Sequence, residues 1–127
     1  MAPALTGSVP AARESAGIVA LEDGRILIFG GGMTRDADEG EEPVAEQFND
    51  VYVLDTLKNT WERVEGSGAA PSARTGHTMV KHGSSVYVFG GCSASDGYLN
   101  DLHILDLKTW TWGEPVTVGA PPSARDK

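Results

Sequence analysis

The chain has a single cysteine, Cys92, so no internal disulfide can form, and a reducing, cytoplasmic setting is the expectation. Positive charge is scarce: 10 Lys and Arg stand against 18 Asp and Glu, a net charge of −8. A general nucleic-acid or anionic-membrane surface needs clustered Lys and Arg, and this balance argues against both. No apolar run approaches the ~20 residues of a membrane-crossing helix. Met1 to Pro10 lacks a basic stretch followed by an apolar one, so no signal peptide is expected. No segment reads convincingly as a helix. At 127 residues the chain is one domain or less.

What is present is repetition, which is tested before anything else. Pro10-Ala11-Ala12-Arg13 matches Pro71-Ser72-Ala73-Arg74 and again Pro122-Ser123-Ala124-Arg125. Phe29-Gly30-Gly31 matches Phe89-Gly90-Gly91, and Asn49-Asp50 with its apolar run to Asp55 matches Asn100-Asp101 with its run to Asp106. Trp61 and Trp112 each stand 6 positions after that closing Asp. Arg74 follows Arg13 by 61 positions, and Arg125 follows Arg74 by 51.

A period of about 50 residues with these marks resembles the kelch family, in which each repeat is one four-stranded propeller blade. The resemblance runs from about Pro10 to Arg125, nearly the whole chain. It implies an all-β fold: two antiparallel four-stranded kelch blades, part of a β-propeller. The expected division is a leader over 1–12 resembling the end of an outer strand, blade 1 over 13–70 and blade 2 over 71–121. Residues 122–127 would start a further repeat or end the chain.

The marked residues also have physical reasons of their own. Val86 to Phe89 is β-branched and aromatic without polar alternation, as suits a strand buried on both faces. Gly30-Gly31 and Gly90-Gly91 can take positive φ and admit a neighbouring backbone. Asp55 and Asp106 open polar turns in which the carboxylate accepts backbone N–H bonds. Trp61 and Trp112 offer large apolar area to a neighbouring blade. Inner strands are expected at Ser15–Glu22 and Gly76–His82, second strands at Arg25–Phe29 and Ser85–Phe89, third strands at Asp50–Leu54 and Asp101–Leu105. The outer strands fall at Thr60–Val64 and Thr109–Val116.

The copies differ most between second and third strands. Asn49 lies 19 positions after Gly30, whereas Asn100 lies 10 after Gly90. The longer loop, Thr34 to Gln47, carries Asp36, Asp38, Glu39, Glu41, Glu42 and Glu46 against Arg35. Asp36-Ala37-Asp38-Glu39-Gly40 hints at a calcium loop, but the required glycine falls on Glu41 and the closing Glu on Gln47, so a solvated acidic loop is the default. Cys92 follows Gly90-Gly91. One propeller enzyme class uses a Cys–Tyr radical with copper, yet the matching His and Tyr set is missing, and a small buried Cys is the simpler reading. His77, His82 and His103 lack metal spacing, and His77 suits a structural hydrogen bond. Arg13, Arg74 and Arg125 suit repeat-stabilising bonds to carbonyls or to an Asp of the adjacent blade rather than ligand contact. Trp110, two residues before Trp112, shares its strand face and either covers the blade edge or anchors a partner.

The expectation is therefore a non-catalytic kelch protein-interaction module or assembly subunit, without metal or cofactor. The alternative is a fragment of a propeller enzyme whose catalytic set lies outside these two blades. Expected partners are a protein, with a basic surface facing the acidic loop and with Trp110 as a second contact, and further blades from the same or another chain.

Overall fold

Short apolar runs separated by Gly and Asp turns give the chain only strands and one short 3-10 turn among its described residues. The computed structural model describes residues 6–7, 9–35, 40, 42 and 44–114. In the first copy the strands are β1 (Thr6–Gly7), β2 (Gly17–Ala20), β3 (Arg25–Phe29), β4 (Gly32–Arg35), β5 (Val44–Gln47), β6 (Val51–Asp55) and β7 (Thr60–Val64). In the second they are β8 (Thr78–His82), β9 (Ser85–Ser93), β10 (Gly97–Asp106) and β11 (Thr111–Gly113).

Two antiparallel four-stranded sheets result, β7-β6-β3-β2 and β11-β10-β9-β8. Matching registers tie them to the repeat: Arg25 pairs Asp55 and Phe29 pairs Val51, as Ser85 pairs Asp106 and Phe89 pairs Leu102. The leader adds a further strand. β1 lies parallel to β7, with Thr6 opposite Thr60 and Gly7 opposite Trp61. Ser67 stands in the same relation to Thr111 of blade 2. The chain between blades thus laps the outer edge of the blade that follows, covering an edge that would otherwise be open for pairing.

The connection between second and third strands is not the plain loop expected. In blade 1 its base is a β4–β5 hairpin, with Gly32 opposite Gln47 and Arg35 opposite Val44. In blade 2 the equivalent residues simply prolong β9 and β10 to a tight turn. Hence β9 and β10 run past the expected Phe89 and start before the expected Asp101. The outer strand β11 covers Thr111–Gly113 of the expected Thr109–Val116, of which residues 115 and 116 lie outside the described residues.

The core lies between the sheets. Leu27, Phe29, Val51 and Val53 of blade 1 pack with Val86, Val88, Leu105 and Trp112 of blade 2. Phe29 sits 5.1 Å from the Trp112 ring, centroid to centroid. Each such side chain, taken from water, contributes about 1.5–3 kcal/mol. The strands are not buried on both faces, as the apolar runs suggested: burial alternates along β3 and β9 in opposite phase. Leu27 and Phe29 are buried, while their counterparts Tyr87 and Phe89 are half-buried. Val86 and Val88 are buried, while their counterparts Ile26 and Ile28 are half-buried. The blades stack head to tail, so one face of each repeat is used in one copy and open in the other.

Candidate interaction surfaces

At one end of both blades lie the Pro-x-x-Arg segments and the Gly-Gly ends of the second strands. The Arg74 side chain is fully buried and donates to three kinds of acceptor. Its Nε donates to the Ser72 carbonyl at 3.0 Å and its Nη1 to the Gly90 carbonyl at 3.0 Å. Nη1 and Nη2 form a two-pronged pair with Asp101 at 2.7 and 2.9 Å. Arg13 repeats this pattern on Ala11, Gly30 and Asp50, and its guanidinium also lies 4.0 Å from the centre of the Phe48 ring. The expected carboxylate partner was an Asp of the adjacent blade; both Asp residues belong to the arginine's own blade. Both Asp residues sit where regular pairing with the second strand is interrupted: Asp101 lies within the register shift between Leu99 and Leu102, and Asp50 lies just before β6.

Asp101 feels opposing influences. Burial pushes its carboxyl up, but the Arg74 and His103 hydrogen bonds, with the charges of those two groups, outweigh it and hold Asp101 down at about 2. His103 Nε2 lies 2.9 Å from the second Asp101 oxygen. The set is a structural network that engages the Arg74 guanidinium and both Asp101 oxygens, while the buried Nδ1 of His103 has no hydrogen-bond partner.

The blades are tied together by groups the sequence marked and by one it did not. Gly31 and Gly91 hold φ near 90° and 97°; a side chain on Gly91 would meet the Thr75 carbonyl at 2.8 Å. Gly31 N–H donates across to the Arg74 carbonyl at 2.9 Å. His77 is buried, with Nε2 3.1 Å from the Gly17 amide and 2.9 Å from the Phe29 carbonyl, so its ring bridges blade 2 to a strand pair of blade 1. Burial pushes the His77 pKa down, the Phe29 hydrogen bond opposes this, and the Arg74 charge adds to the lowering. Its counterpart in blade 1 is Ala16. Gln47 was not singled out from sequence. It accepts from Ala94 N–H at 2.6 Å and donates to the Cys92 carbonyl at 3.2 Å, fastening the hairpin to blade 2. A polar residue within an acidic run gave no periodic signal of that role.

At the turns, Asp55 accepts from the Leu57 and Lys58 amides and Asp106 from the Lys108 amide. Trp112 is buried against blade 1, and half-buried Trp61 faces the Tyr52 ring at 6.4 Å on the open side. Trp110 does not share the strand face of Trp112. It precedes β11, in the left-handed turn position (φ 53°) that Asn59 fills in blade 1 (φ 54°), and it packs partly against the core. Of the acidic segment, Glu42 and Glu46 are exposed, while Asp36, Asp38, Glu39 and Glu41 lie outside the described residues, as does Arg125. Among the described residues no three His, Cys, Asp or Glu are grouped to hold a metal, and no helix is long and apolar enough to cross a membrane.

A family model, the KLHDC2/KLHL20/DRC7 Kelch-repeats domain, matches residues 1–127. This chain belongs to the kelch-repeat family. Kelch domain-containing protein 1 of Homo sapiens is 34% identical over 133 residues, a match covering 94% of this kelch chain and 32% of that protein. Acyl-CoA-binding domain-containing protein 4 of Arabidopsis thaliana is 38% identical over 103 residues, covering 81% of the chain and 14% of that protein. Dynein regulatory complex subunit 7 of Chlamydomonas reinhardtii is 36% identical over 104 residues, with 80% and 8% covered. The kelch chain thus spans a third or less of each of these relatives. The solved structure described as "Structure of YjhT" superposes with a TM-score of 0.61 at 22% identity, over 80% of this chain and 37% of that one, a likeness of fold.

Proposed function

We propose that this kelch chain works as a non-catalytic protein-interaction module or assembly subunit in a reducing, cytoplasmic setting. Its two open blade faces are covered by further blades, from the same or another chain. The observation that carries the reading is the opposite phase of burial. Ile26, Ile28, Tyr52 and Leu54 stand where blade 2 places Val86, Val88, His103 and Leu105 against blade 1, yet they are only half-buried. Tyr87, Phe89, Leu102 and Ile104 are the matching half-buried set on the other side. Ile18 and Val80, one on each outer side, are 62% and 54% exposed. Repeat units of this kind do not bury their faces alone, and large open apolar patches mark association surfaces. The acidic segment, which carries Asp36, Asp38, Glu39, Glu41, Glu42 and Glu46, is suited to a partner with a basic face, since concentrated carboxylates raise encounter rates with cations.

The test places charge on the open faces. Ile28→Glu blocks one side and Phe89→Glu the other. Each single variant should still join wild-type chains through its unblocked face, and the double variant should join none, as read by sedimentation equilibrium. Unaltered association of the double variant would remove the blade faces from the interaction.

A further inference from the structure

We propose that the groove between the blades, at the end opposite the acidic hairpin, binds an acidic peptide segment that also carries an apolar side chain. The groove is framed by three turns: Glu22–Gly24, the Gly83-Ser84 turn between β8 and β9, and Leu107 to Trp110. A cavity of about 460 Å³ there is lined by Arg25, Lys81, Lys108 and Trp110, with Glu22 at its rim. Past Arg25 and Trp110 lies a second hollow of about 500 Å³ in which Lys58 stands with Asp55, Glu62 and Glu65, so the carboxylates of a bound segment belong in the first hollow.

The repeat supplies an internal control. None of the four principal residues is demanded by the blade pattern. The counterpart of Arg25 is Ser85, of Lys81 is Ala20, of Lys108 is Leu57 and of Trp110 is Asn59. They meet only because the start of β3, the end of β8 and the β10–β11 turn come together when the blades stack. Ordinary solvated surface lysines would be scattered. Here three cations converge in a chain of net charge −8. Among the lining residues of the first hollow Glu22 is the one carboxylate, and Asp55 stands opposite Arg25 across the sheet on the side of the second hollow. Lys81 is 3.8 Å from Glu22, whose side chain is 83% exposed, and among the described residues Arg25 and Lys108 enter no ion pair.

Trp110 is the second observation. Its φ of 53° suits Asn, which tolerates the left-handed region, and disfavours a bulky ring. An unfavourable backbone conformation kept at a groove wall is a pointer to use. The half-buried ring borders both hollows, between the cationic one and the more acidic one. Carboxylates of an extended segment fit against Arg25, Lys81 and Lys108, with an apolar neighbour laid on the indole. Three cations are too few for a nucleic-acid track. This deepens the reading of the chain as an interaction module and rests on it.

The probe is a fluorescein-labelled peptide of sequence Glu-Glu-Leu-Glu-Glu, compared with its Gln counterpart on the full 127-residue chain. The Glu peptide should bind at least about tenfold more tightly than the Gln peptide and should weaken as salt rises. The combined variant Arg25→Ser, Lys81→Ala, Lys108→Leu carries the other blade's own residues and should lose at least about tenfold in affinity, with its circular dichroism unchanged. Lys108→Glu, in an exposed turn, gives the same direction without touching the core, and Trp110→Asn should weaken the Leu-containing peptide more than an all-Glu one. Equal binding of the Glu and Gln peptides, or undiminished binding by the Lys108→Glu and combined variants, would overturn the proposal. So would displacement of the peptide by inorganic phosphate or ATP at lower concentration than by free Glu peptide, which would assign the groove to a small anion. Association through the blade faces, measured on the same samples, is independent of these substitutions, so failure of the groove and failure of the module reading are told apart.

Discussion

Blade 1 and blade 2 share a strand order and a pairing register and differ in what is attached to them. Arg13 and Arg74 grip Asp50 and Asp101 in the same way, and the Gly-Gly pairs take the same left-handed backbone. The differences fall in three places. Blade 1 carries a hairpin where blade 2 has a tight turn. Blade 2 has His77 where blade 1 has Ala16, so the histidine tie to Gly17 and Phe29 belongs to blade 2 alone. The groove residues Arg25, Lys81, Lys108 and Trp110 are matched in the other blade by residues of different chemistry, Ser85, Ala20, Leu57 and Asn59. What repeats is therefore the requirement of the fold, and what does not repeat is where this particular chain is free to specialise.

The largest expected effect comes from the opposite phase of burial. Phe29→Ala empties a fully buried site and should cost about 3–5 kcal/mol in urea unfolding. Phe89→Ala, at the matching position on the open face, should cost about 1 kcal/mol in dilute solution, where less area is lost. Equal losses would mean that the two faces are equivalently covered. Next comes Arg74→Ala, which leaves Asp101 without its main partner and should cost about 3 kcal/mol by the same measurement. A loss under about 0.5 kcal/mol would show that the network is idle.

Acid should weaken the fold in two steps. The folded His77 pKa is lowered, so its contribution is complete above the unfolded value of about 6.5 and declines as pH falls below it. Asp101, held at about 2, contributes above the usual carboxylate range, and this is lost as pH falls from about 4 toward 2. His77→Gln should remove the upper step alone in thermal melts across this range. The smallest expected effect belongs to Trp110→Asn. Relief of the left-handed strain offsets lost packing, and the net change should stay within about 1 kcal/mol.

The fold was legible in the sequence because blade marks sit at fixed offsets: Pro-x-x-Arg, Gly-Gly, Asn-Asp and Trp each have a local reason to recur. The hairpin at the base of the insertion was less so, since Gly32 to Arg35 and Val44 to Gln47 lack the alternation that announces a strand pair. Trp110 was misplaced for a related reason. Spacing from Trp112 assumed a continuous strand, and the turn ends at Trp110, with β11 starting at Thr111. The clamp by Gln47 and the meeting of Arg25, Lys81 and Lys108 could not be read at all, because they depend on how two blades stack rather than on any segment. Of the acidic segment, the charge was plain from composition, but a count of carboxylates does not say how they are displayed.

The account stands most directly on the mass of the chain in solution. Two half-used, mutually complementary faces should drive association, so sedimentation equilibrium over a wide concentration range should give masses above 13.4 kDa that rise with concentration. A well-folded, monodisperse species of 13.4 kDa at every concentration would contradict it, because the open faces would then need no cover.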